Sequence, residues 1–203
     1  VGGLFVLWRL LFGPWQTHVK ATVLGMFLFW ITLHLIGQKT GAEQLVTVIS
    51  MLFALLPAFL WAWLFLPYHR EKPSRIALMF FAGMASTAPI LFYDALVRSG
   101  SELHFFYFRI VPESFNASSI AFVSGNFTEH TSLAAKLSIL LLSFVLVSLI
   151  EEASKFWVLR KSGERLFTSI DDALELSIIV ALGFAFAENI LNSSYFPTFV
   201  RQY

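Results

Sequence analysis

Five long stretches of apolar residues, separated by short polar ones, organise this chain. Val19–Ile36 spans about 27 Å as a helix, just enough to cross a hydrocarbon core. Leu45–Leu66 follows, interrupted by Pro57, which a membrane helix tolerates better than a soluble one. Ile76–Val97 contains Pro89 and carries Asp94 near its end, and Ala134–Leu159 and Leu174–Leu191 complete the set. The pattern predicts an all-α fold, a polytopic transmembrane helix bundle of about five spans near 19–36, 45–66, 76–97, 134–159 and 174–191. All of 1–203 reads as one transmembrane domain, with no soluble domain, linker or repeat. Leu4–Phe12 is apolar but too short to span; it holds Arg9 and lacks a cleavage site, so it reads as an interfacial helix or the end of a longer one. The chain opens on Val1 and stops at Tyr203 soon after an apolar stretch, so it reads as partial.

The polar stretches orient the bundle. Gly37–Glu43 is a short turn. Pro67–Arg75 holds Arg70, Lys72 and Arg75, and Arg160–Asp172 holds Arg160, Lys161 and Arg165. Basic loops stay on the cytoplasmic side, which puts both of these loops and the N-terminus inside a plasma membrane. Arg98–Thr131 then lies outside, an aromatic-rich loop with two glycosylation triplets, at Asn116 and Asn126, of a kind common by chance.

Composition removes the soluble alternative. Charged residues make up 13% of the chain and apolar ones 57%, whereas a soluble surface needs roughly 25% charged residues. The net charge of +1 gives no reason to expect a nucleic-acid partner. With no cysteine, disulfides, thiolate metal sites and cysteine nucleophiles are excluded.

Candidate chemistry sits on the last two spans. Glu151 and Glu152 follow more than ten apolar residues, and Lys155 comes four after Glu151, a spacing that suits an ion pair. The ordinary reading is a pair of interfacial charges reaching for headgroups. Glu188 lies deep in the fifth span with no basic residue following until Arg201. An ionisable residue there is a functional candidate by default, although it also serves as a packing group. Phe184, Glu188 and Asn192 share one face, while Gly183 with Ala187, and Ala181 with Ala185, form small-xxx-small pairs that permit close helix contact. Counted from the expected helix ends, Glu188 lies about 21 Å in and Glu151 about 12 Å.

Together, Glu151-Glu152-x-x-Lys155 and Phe184-x-x-x-Glu188-Asn189 resemble the two motifs of the PrsW family of intramembrane proteases, relatives of the CAAX prenyl-proteases and Abi proteins. Gly183-Phe184-Ala185 matches the context of the second motif, and Asp171-Asp172 matches the acidic element that opens its helix. The resemblance implies an enzyme that hydrolyses a membrane-anchored protein substrate within the lipid bilayer. It implies Glu151 as the group that activates water, Glu152 as its assistant, Lys155 as charge balance, and Glu188 with Asn189 as the second-helix contribution, supported by Phe184. A divalent metal such as zinc is implied for the family, with Glu151 and Glu188 as its ligands here if one is bound. The family's later histidine motifs have no counterpart, because His18, His34, His69, His104 and His130 all precede Glu151. Two carboxylates close together in low dielectric do not both ionise easily, which equips one to take a proton from water. The alternative is a non-enzymatic carrier, or an inactive relative, whose buried acids bind ions or a neighbouring helix.

Overall fold

The computed structural model describes residues 2–65, 72–92, 104–105, 108–109 and 133–191. Among the described residues the helices run, in chain order, α1 Gly2–Phe12, α2 Thr17–Gly37, α3 Gly41–Phe65, α4 Pro73–Ala85, α5 Leu133–Gly163 and α6 Ile170–Leu191. Three are long and apolar enough to cross a membrane: Thr17–Gly37, Gly41–Leu64, and α4 taken with its continuation, Pro73–Phe92. They coincide with the first three expected spans. The last two expected spans fall on α5 and α6, whose 31 and 22 residues also contain the motif charges. The chain is an α-helical integral membrane protein.

The third span is not one uninterrupted helix. Regular α4 stops at Ala85, turns through Ser86 and Thr87, and becomes helical again over 88–92. Pro89 explains the position: it offers no N–H to the carbonyl four residues back, and its ring crowds that turn. The buried hydroxyls there satisfy themselves locally, Ser86 Oγ donating to the Gly83 carbonyl at 2.6 Å and Thr87 Oγ1 to that of Met84 at 2.7 Å. Asp94, the Pro67–Arg75 histidine and arginine (His69, Arg70), Asn116, Asn126, His130 and Asn192 lie outside the described residues. Of the Arg98–Thr131 loop, the described part is a small antiparallel pair, His104–Phe105 with Phe108–Arg109.

The chain divides into two compact units, residues 1–87 with 155–203, and residues 88–154. The first holds the core. Leu24 of α2, Leu78, Met79 and Ala82 of α4, and Leu176, Ile179 and Val180 of α6 form one buried cluster. The α6 residues recur at three- and four-residue spacing, the signature of a helix with one buried face. Two glycines set the distance between α4 and α6. A Cβ on Gly83 would overlap the Val180 carbonyl oxygen, and one on Gly183 would overlap that of Phe80 while coming within 3.2 Å of the Met84 nitrogen. Backbone therefore meets backbone, as close helix pairs in membranes require. Gly183 and Ala187 are buried in this unit, whereas Ala181 and Ala185 are exposed. The first small-residue pair faces the core as expected; the second does not.

Outside the core, large apolar side chains face outward. Met26, Phe29 and Trp30 on α2 and Phe59 and Trp63 on α3 are all more than half exposed. So much exposed apolar surface would be untenable in water and is ordinary in lipid. Polar side chains within α3 turn back on their own helix: Thr47 Oγ1 donates to the Glu43 carbonyl and Ser50 Oγ to that of Val46, each at 2.8 Å.

Candidate functional site

The acidic pair stands near the middle of α5, where the apolar run gives way to polar residues. Glu151 is half-buried and Glu152 exposed. Ser154, buried, donates its hydroxyl to the Glu151 carbonyl at 2.8 Å, using a backbone group of the motif as its own partner. Glu151 and Lys155 are one turn apart on the same helix face. The helix continues through Arg160 and Lys161 in its last turn, where cations complement the negative end of the helix dipole.

The second motif is positioned by the packed face of α6. Phe184 is 2% exposed, seated beside Gly183 and Val180 in the stripe that meets α4. One turn further, Glu188 is half-buried and Asn189 exposed. Phe186 rests against Phe80 of α4 with ring centroids 5.7 Å apart. The Gly183 contact thus fixes how far Phe184 and the turn carrying Glu188 stand from α4.

Lys155 of the first motif meets Phe184 of the second. The Lys155 ammonium lies 4.4 Å from the centroid of the Phe184 ring. A cation over an aromatic face is held by the ring quadrupole, by about 0.5–2 kcal/mol depending on desolvation. Phe184 is therefore more than filler: its buried ring presents a face to the lysine of the first motif. Glu188 lies one turn from this contact along α6. Glu151 and Glu152 belong to the 88–154 unit, and Lys155, Phe184, Glu188 and Asn189 to the other.

The acidic element before the second motif has a structural role. Ser169 and Asp172 form a reciprocal cap at the start of α6: the Asp172 amide donates to Ser169 Oγ at 3.1 Å, and the Ser169 amide to the Asp172 carboxylate at 3.0 Å. The Thr168 amide donates to the same carboxylate oxygen at 2.9 Å, and the Thr168 hydroxyl does so too. Hydrogen bonds from Thr168, then from Ser169, hold the Asp172 carboxyl below its ordinary value of 3.8. The sequence signal for this was available, since Ser-x-x-Asp before an apolar run is a capping pattern. Asp171 is exposed.

Sequence reasoning passed over Glu175. It is 4% exposed, in the first half of α6, among the core residues Leu176 and Ile179. A carboxylate inside an apolar span was the available signal. His34, by contrast, stacks on Trp30 at 5.8 Å and pairs with the Gln38 amide at 3.0 Å, a local surface arrangement on α2. Among the described residues, no three of His, Asp and Glu converge to hold a metal ion. A catalytic zinc site takes three protein ligands and a water, so the described residues alone do not furnish one.

Residues 71–198, more than half of the chain, match the sequence model described as PrsW family intramembrane metalloprotease. No curated protein and no solved structure matches the chain. The matched stretch includes both motifs and the whole of α4, α5 and α6.

Proposed function

Because this chain belongs to the PrsW family of intramembrane metalloproteases, we propose that it hydrolyses a peptide bond of a membrane-anchored protein using a water activated by Glu151. The observation that carries the reading is the Lys155–Phe184 contact, which joins a residue of the first motif to one of the second. In the proposed reaction the Glu151 carboxylate accepts a proton as the water oxygen attacks the scissile carbonyl carbon. The tetrahedral intermediate then expels the amine, which receives that proton, leaving a new carboxylate and a new amino terminus. Glu152 orients Glu151 and the water. Glu188 and Asn189 offer an acceptor and a donor to the substrate from α6. The Lys155 ammonium balances the charge of the acidic groups while Phe184 fixes where it stands. A metal of the kind the family name implies would use Glu151 and Glu188, and would need donors beyond the described residues. The bundle has five spans in this reading, forms one transmembrane domain, and keeps its basic loops in the cytoplasm of a cell bounded by its plasma membrane.

The test is Glu151→Gln, which keeps size and hydrogen bonding while removing the base. New protein N-termini in membranes carrying the wild-type chain should disappear with the variant, corresponding to a rate loss of at least about 100-fold. The same set of cleavage products at an unchanged rate would remove Glu151 from the chemistry.

A further inference from the structure

Away from the two motifs, the basic end of α5 borders a cavity of about 490 Å³, enclosed with α1, the start of α2 and the chain after α5. That volume lies within the roughly 300–1,000 Å³ of small-ligand sites. Its lining is segregated by chemistry. Leu11, Leu78 and Leu166, all buried, form an apolar base. Trp8, Phe12 and Trp157 make one wall, their rings in mutual contact at 4.6–5.9 Å. Lys20, Lys161 and Arg165 supply three cations against one acid, Glu164.

The polar groups are poised for an anion. Lys20 Nζ donates to the Leu11 carbonyl at 3.3 Å, which holds the ammonium against the cavity with further N–H donors to spare. Arg165 and Lys161 line the same cavity, so like charges face a shared space. Ser162 has a buried hydroxyl with no hydrogen-bond partner among the described residues, and buried polar groups are seldom left so. A phosphate among these cations would relieve their mutual repulsion.

We infer that this cavity binds the headgroup of an anionic phospholipid. A small phosphate would satisfy the cations but leave the leucine base and aromatic wall unused; a lipid's glycerol and upper acyl carbons would cover them. Trp8 and Trp157 are 56% and 42% exposed beside these cations, and tryptophan accumulates at headgroup depth. Basic pockets between membrane helices are suited to anionic headgroups, each nearby Lys or Arg strengthening binding about fivefold. The inference uses none of the proposed catalytic groups, so it stands or falls apart from the protease reading.

The experiment follows thermal unfolding of the full chain in an uncharged detergent at constant ionic strength. The probes are phosphatidylglycerol, phosphatidylcholine and inorganic phosphate, titrated separately. Phosphatidylglycerol should raise Tm saturably and the other two should not. Lys161→Gln and Arg165→Gln should each weaken the apparent affinity about fivefold and the double variant roughly 25-fold, while Lys72→Ala, outside the cavity, should leave it unchanged. If the double variant is unstable without lipid, the charge-keeping Lys161→Arg with Arg165→Lys serves instead and should retain affinity within about threefold. Equal effects of the two lipids would overturn the inference, as would a phosphatidylglycerol effect indifferent to Lys161 and Arg165. So would inorganic phosphate giving the same shift with the same dependence on those residues, which would make this a small-anion site.

Discussion

Replacing Gly183 by alanine tests how the second motif is held. The added methyl would overlap the Phe80 carbonyl oxygen, a backbone atom that cannot rotate away. To restore an ordinary contact near 3.4 Å, α4 and α6 must part by roughly 1 Å, enough to forfeit a quarter to a half of each facing dispersion contact. Overpacking of this kind costs about 1–3 kcal/mol, against a helix-propensity gain of at most about 1 kcal/mol for Gly→Ala. We expect a net loss of about 1 kcal/mol, and at most about 2, for Gly183→Ala, and the same for Gly83→Ala, whose methyl would meet Val180. The double variant should cost less than the sum, because the first separation makes room for the second methyl. Gly25→Ala should cost less than either, since its methyl meets the Phe81 ring at 2.8 Å, and a ring can turn. Gly41→Ala, with nothing within 4 Å, should be neutral or slightly stabilising. Reversible unfolding in mixed micelles of an uncharged detergent and SDS, followed by tryptophan fluorescence, gives these differences. If Gly183→Ala proved as stable as Gly41→Ala, the bare backbone contact between α4 and α6 would be refuted.

Further outcomes concern the two motifs and the start of α6. A double-mutant cycle on Lys155→Met and Phe184→Leu, read as unfolding free energy, should give a coupling of about 0.5–2 kcal/mol; zero coupling would show that the ring does not hold the ammonium. Glu188→Gln should lower turnover strongly, yet add little to Glu151→Gln when the two are combined, because groups that act as a unit are not additive; multiplicative effects would indicate separate roles. At the start of α6, Ser169→Ala should cost about 1 kcal/mol. The Asp172 carboxyl titrates lower in the folded chain, so its contribution is fully present above 3.8 and is lost as pH falls through the depressed native value. A nitroxide at I170C, unambiguous in a chain without cysteine, should loosen over that acid range in the wild-type background. In Asp172→Ala, which removes the acceptor, it should be loose at every pH, and a tight, pH-independent label there would contradict the cap.

Much of this was legible in the residue pattern. Length and apolarity located the first three membrane helices within a few residues, since no other arrangement satisfies the backbone in lipid. The motif spacing identified the family. Helix ends were harder. α5 runs to Gly163 rather than Leu159, and α6 begins at Ile170 rather than Leu174. Hydropathy stops where apolar residues stop, but a helix continues through its charged last turn and begins at its cap. Depths counted from the expected ends inherit that error. The break at Ser86–Thr87 was implicit in Pro89, but which turn would open depended on hydroxyls able to absorb it. No one-dimensional pattern announced that Phe184 would offer its face to Lys155, because that contact joins side chains on different helices. Nor did it distinguish Gly183 with Ala187 from Ala181 with Ala185, which differ only in which side of α6 meets α4.

The paired glycines also bear on how the protein is made. Gly83 and Gly183 stand about a hundred residues apart, so α4 enters the bilayer well before the helix it is shaped to meet. Until α6 arrives, the groove around Gly83 is filled by lipid tails, and its final seam forms only by lateral assembly after insertion. During that interval the nascent chain holds separate helices without their closest contact. Biogenesis, and its surveillance by membrane chaperones and quality-control proteases, should thus be sensitive to changes that delay or destabilise α6.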